Sequence, residues 1–88
     1  MGPQKGWLKC RVSEGMFPEE RAVVCTNLAG ISFSFFAPET RVKQKEGLVE
    51  VNIMDCQNDK CLVFIPFEPL GGMSRTQAVY RKDITEIQ

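Results

Sequence analysis

Two apolar runs, Leu48 to Asp55 and Cys61 to Phe67, flank the polar turn Gln57-Asn58-Asp59-Lys60, and this pairing constrains the chain more than any other feature. Short polar side chains such as Asn58 and Asp59 tolerate positive φ, so a two-residue hairpin turn is expected there. In that register Cys56 faces Cys61, Ile53 faces Phe64 and Val51 faces Pro66, which makes one face apolar throughout. The other face then carries Met54, Val63, Ile65 and Phe67 beside Glu50 and Asn52. A second apolar stripe on a half-exposed hairpin must be covered, either by another part of the chain or by a partner.

Other segments read as short strands. Trp7 to Val12 alternates, with Leu8, Cys10 and Val12 on one side and Trp7, Lys9 and Arg11 on the other, which sets Trp7 outward or at a rim. Ser13 to Glu20 holds Gly15, Pro18 and the acids Glu14, Glu19 and Glu20, and reads as a long loop. Arg21 to Thr26 and Ile31 to Phe36 form a second hairpin around Asn27-Leu28-Ala29-Gly30. With four loop residues, Ala22, Val24, Ile31, Phe33 and Phe35 are expected in the core, and Val23, Cys25, Ser32, Ser34 and Phe36 outside. Pro38 ends that strand. Glu68 to Ser74, with Pro69 and Gly71-Gly72, reads as a mobile loop. Thr76 to Tyr80 is a strand, Arg81-Lys82-Asp83-Ile84 one tight helical turn, and Ile84 and Ile87 tie down the tail. Residues 1–6 are expected to be a flexible lead-in or non-native remnant, and residues 7–88 a single β-barrel domain.

Eighty-eight residues allow one domain, and a chain of that size buries only roughly 60 to 65% of its unfolded surface. A shallow surface site is therefore expected rather than a deep pocket. The 11 basic and 11 acidic residues cancel, which removes any long-range field toward nucleic acid or anionic membrane. Histidine is absent, and with it the usual general base and the commonest metal ligand. No base is at hand to activate Cys25, and Glu14, Glu19 and Glu20 read as solvating charges, so no catalytic residue is assigned. The four cysteines include no C-x-x-C pair, so no metal site and no cofactor are assigned. With no hydrophobic leader in the sequence, a reducing, cytoplasmic location is expected. A Cys56–Cys61 disulfide lies within geometric reach, and a reducing cytoplasm is expected to keep it open.

The layout as a whole, from Leu8 to Val12 through the loop Ser13 to Glu20, the two hairpins and Val79-Tyr80-Arg81-Lys82-Asp83-Ile84, resembles the small SH3-like barrel. The resemblance implies an all-β fold of five to six antiparallel strands with one short 3-10 turn near the C-terminus. Trp7-Leu8-Lys9-Cys10-Arg11 departs from the Ala-Leu-Tyr-Asp-Tyr type motif of signalling SH3 domains. An OB-fold is the alternative, but its helix between strands is not found.

The functional expectation is a non-enzymatic binding module for protein-protein interaction or self-association. The candidate partner-binding residues are Trp7, Phe36, Met54, Val63, Ile65, Phe67 and Tyr80. The alternative is a weak nucleic-acid binder in which Lys9, Arg11, Lys43, Lys45, Arg81 and Lys82 contact phosphate while surface aromatics stack bases. No membrane association is expected, since the longest apolar run is far too short to span a bilayer.

Overall fold

Short β-branched and aromatic runs separated by Gly, Pro and Asn produce nine strands and no α-helix among the described residues. The structure is a computed structural model and describes residues 4–86. The strands are β1 (Gln4–Lys9), β2 (Arg11–Glu14), β3 (Glu20–Thr26), β4 (Ser32–Pro38), β5 (Val42–Lys43), β6 (Leu48–Gln57), β7 (Lys60–Phe64), β8 (Thr76–Tyr80) and β9 (Ile84–Glu86). All pairings are antiparallel. One sheet runs β8-β7-β6-β1-β9, with β5 beside β6, and the other runs β2-β3-β4; neither closes into a ring. Cys10 is the corner between them. Its N–H donates to the Gly47 carbonyl at 2.8 Å, and the chain passes from β1 in the first sheet to β2 in the second.

A single core draws on both sheets. Leu8, Val49, Val51, Cys61, Val63, Ile65 and Val79 come from the first sheet and its margin, and Val23, Cys25, Phe33, Phe35 and Ala37 from the second. Phe35 stacks between Phe33 and Phe67, with ring centroids 6.4 and 5.7 Å away. The 3-10 turn expected near the C-terminus is Arg81–Asp83. Two further 3-10 turns, Glu39–Arg41 and Leu70–Gly72, occupy segments read from the sequence as breaks and loop.

The strand boundaries differ at the amino end. Gln4 to Gly6, expected to precede the folded domain, are the first residues of β1 and pair with Ile53, Asn52 and Val51. Gly6 lets the strands pack closely there: a Cβ would meet Ile53 Cδ1 at 2.7 Å and Ile84 Cγ2 at 3.1 Å, so any larger residue would have to displace the Ile53 side chain. Residues 1–3 and Ile87 lie outside the described residues.

Both hairpins also depart from the expected register, for identifiable reasons. In β3–β4, Thr26 pairs with Ser32, so the loop is Asn27 to Ile31, one residue longer than expected. Asn27 sets that length, since its Oδ1 accepts from the Ala29 N–H at 3.0 Å and the Ile31 N–H at 2.9 Å, with Gly30 at φ 81°. A one-residue change moves a strand's side chains to the opposite face. Val23 and Cys25 are therefore buried with Phe33 and Phe35, Ala22 and Val24 are only half-buried, and Ile31 is 53% exposed. In β6–β7 the Asn58-Asp59 turn holds as expected, with Cys56 opposite Cys61 and Asn58 at φ 57°. A bulge between Ile53 and Asp55 then shifts the ladder, so that Ile53 faces Val63 and Asn52 faces Phe64.

Candidate protein-interaction surface

The bulge decides which side chains the first sheet shows to its outside. Met54 is the extra residue. With it, Ile53 and Cys56 both turn toward the core, and across the ladder Cys61, Val63 and Ile65 turn the same way. The stripe expected on the outer face is thereby corrected: Val63 and Ile65 have no exposed surface and are covered by the second sheet. Phe67 also leans inward, half-buried and stacked on Phe35.

The outer face instead carries the alternate residues. Leu62 lies directly opposite Ala78, Phe64 opposite Thr76 and Lys60 opposite Tyr80. Met54 is 55% exposed, Tyr80 41% and Leu62 39%, and Ala78 is exposed between them. A shallow depression of about 270 Å³ is lined by Leu62 and Ala78 together with the polar hairpin tip, Asp55, Gln57, Asn58, Asp59 and Lys60. Farther along the same face, Asn52 opposes both Phe64 and Lys5, and Trp7 opposes Glu50. The Glu50 carboxylate takes an ion pair from Lys5 at 3.8 Å and a hydrogen bond from Arg41, which makes this end of the face polar.

Of the candidate residues, Met54, Tyr80 and Trp7 thus share one face. Phe36 does not: it opposes Ala22 on the outside of the second sheet. Leu62, Phe64 and Ala78 were not legible as surface residues, because period-2 alternation gives the members of a face but not the position of a bulge. The Ser13 to Glu20 loop also shows two apolar side chains that its acidic reading passed over, Met16 and Phe17, 76% and 62% exposed.

The six basic candidates are only partly assembled. The Lys43 ammonium sits 4.7 Å from the centre of the Trp7 ring and the Lys82 ammonium 5.3 Å from that of Tyr80. Arg81 is committed to the β6–β7 turn, where its Nη1 donates to the Asn58 carbonyl at 2.8 Å and its N–H to Asp59 at 2.7 Å. Lys9 and Arg11 line a separate cavity with Asp83, and Lys45 stands exposed in the turn before β6. Among the described residues no group of three or more Cys, Asp and Glu side chains is arranged to hold a metal ion, and no helix is long and apolar enough to cross a membrane. Cys56 and Cys61 are joined by a disulfide, where a reducing cytoplasm was expected to leave thiols.

Comparison with protein families, with curated proteins and with solved structures finds no match to this chain.

Proposed function

We propose that this chain is a non-enzymatic binding module of the SH3-like barrel type whose outer sheet face docks protein, in the simplest case a second copy of itself. The observation that carries the reading is the apolar strip of Met54, Leu62, Phe64, Ala78 and Tyr80 on a face where alternation ordinarily puts polar side chains. Its mechanism is burial of a few aliphatic and aromatic anchors, with the polar hairpin tip around Asp55, Asp59 and Lys60 beside Leu62 and Ala78 as the hydrated margin. The balance of 11 basic and 11 acidic residues leaves no net repulsion between copies. The barrel assignment is supported by connectivity, since the chain leaves β8 through the turn Arg81–Asp83 and returns as β9 beside β1.

Amide NMR spectra recorded over a range of protein concentrations test the proposal. Shifts confined to Met54, Leu62, Phe64, Ala78 and Tyr80, abolished by Leu62→Lys without change elsewhere, are expected. A monomer with concentration-independent spectra removes the self-association form, and Leu62→Lys binding every protein partner as the parent does removes the face altogether.

A second reading, weak nucleic-acid binding, draws on the two aromatic rings that each carry a cation, Trp7 with Lys43 and Tyr80 with Lys82. Shifts at these four residues on adding single-stranded oligonucleotide, lost as salt rises, are its signature. The compartment enters through the cysteines: a reducing cytoplasm opens the Cys56–Cys61 bond, and thiol trapping in intact cells reads its state directly.

A further inference from the structure

The corner between the two sheets holds chemistry that the docking face does not use. Arg11 pairs with Val24 at the end of the β2–β3 ladder, and Cys10 and Cys25 are the residues next beyond that pair on the two strands, side by side in one cavity wall. Directly opposed residues in such a ladder have Cα atoms about 4.5–5.5 Å apart, within the range a disulfide bridges. Both are free thiols, and both line a cavity of about 290 Å³ whose other walls include Lys9, Arg11 and Asp83. They differ in access: Cys10 is half-buried, whereas Cys25 is 2% exposed.

The two thiols also interact. A hydrogen bond from Cys25 holds the Cys10 thiol below its ordinary pKa, against the opposing effect of burial. The same bond, burial and the neighbouring Cys10 charge push Cys25 up. The accessible member of the pair is thus the better thiolate, and the enclosed member keeps its proton.

We propose that Cys10 and Cys25 form a redox-active dithiol that reduces small anionic disulfides of the glutathione type, with Lys9 and Arg11 receiving the carboxylates of the incoming molecule. The Cys10 thiolate attacks one sulfur of the disulfide, forming a mixed disulfide and expelling one thiolate, which takes a proton from water. With Cys10 in the mixed disulfide its thiolate charge no longer holds the Cys25 proton, so Cys25 gives that proton up to solvent through the cavity and attacks the Cys10 sulfur. The Cys10–Cys25 bond forms, the mixed disulfide breaks, and the second thiolate leaves and is protonated. Two protein thiols are oxidised and one disulfide is reduced to two thiols.

The experiment is to expose the folded protein to oxidised glutathione, quench with an alkylating reagent and map the cysteine peptides by mass spectrometry. A Cys10–Cys25 cross-link is expected, with the Cys56–Cys61 bond unchanged, and Cys25→Ser is expected to stop at glutathione on Cys10. In the parent protein Cys10 is expected to react about fivefold or more faster folded than in urea. The double variant Lys9→Glu/Arg11→Glu is expected to lower the ratio of the rate with oxidised glutathione to that with neutral hydroxyethyl disulfide about tenfold, the neutral disulfide reporting any change in the Cys10 thiolate itself. Full alkylation of both cysteines after exposure, or a folded rate no greater than in urea, overturns the dithiol. A ratio that is the same in the parent and the charge variant overturns the recognition by Lys9 and Arg11.

Discussion

Asn27 does more for this fold than its place in a loop suggests. Its Oδ1 fixes the loop by accepting from two backbone amides, and its Nδ2 donates to Gln77 Oε1 at 3.1 Å. Gln77 is the buried polar residue among those described, 6% exposed, and its own amide donates to the Ser74 carbonyl at 2.8 Å. Asn27 therefore couples the β3–β4 loop to β8, a link strengthened where the Leu28 N–H donates to the Ala78 carbonyl at 2.7 Å. Replacing Asn27 by Ala leaves two loop amides and a largely buried amide oxygen without their partner. The expected cost is about 1–2 kcal/mol in urea unfolding. Asn27→Asp retains the acceptor for the loop but sets a carboxylate against Gln77 Oε1, and should fall between Asn27→Ala and the parent.

At the scale of elements, the β6–β7 hairpin has two independent sources of register. One is the turn, with Asn58 in the left-handed region and Arg81 holding both turn carbonyls; the other is the Cys56–Cys61 disulfide beside it. Removing the bond with Cys56→Ala/Cys61→Ala is expected to lower stability by about 2 kcal/mol, the chain-entropy value for so short a loop. Cross-strand amide contacts between residues 57 and 60 should survive in NMR spectra; their loss would mean that the disulfide sets the register alone. The same hairpin shows what the sequence carries and what it omits. Its turn, its pairing of residues 56 and 61, and the all-β class were legible, because turn chemistry and alternation are local. The face presented outward was not, because a bulge at Met54 and a side-chain cap at Asn27 each move a register by one residue and leave no periodic trace. Met54 and Tyr80, two of the candidate contact residues read from the sequence, are exposed in the structure, Met54 because it is the bulge residue and Tyr80 at the end of β8.

For the molecule as a whole, the dithiol at the sheet corner makes stability depend on pH. A small domain has few kcal/mol in reserve, so one uncompensated proton matters. Cys10 has a lowered pKa when folded, so its contribution is present above the unfolded thiol value of about 8.5 and is lost as pH falls through the folded one. Cys25 acts in the opposite sense. Its folded pKa is raised, so above about pH 8.5 the unfolded chain releases a proton that the folded chain keeps, and stability falls as pH rises. Cys56 and Cys61 are bonded to each other and take no part. Near pH 8.5 the two thiols act against each other, and between about pH 8.5 and 9.5, as Cys10 ionises in the unfolded chain as well, the slope steepens toward its limit of about 1.4 kcal/mol per pH unit. Thermal unfolding under argon should show the melting temperature dropping across this window in the parent and staying nearly flat in Cys25→Ala. A parent curve as flat as that of the variant would show that the second thiol ionises freely in the folded protein, so that the sheet corner does not keep the Cys25 proton.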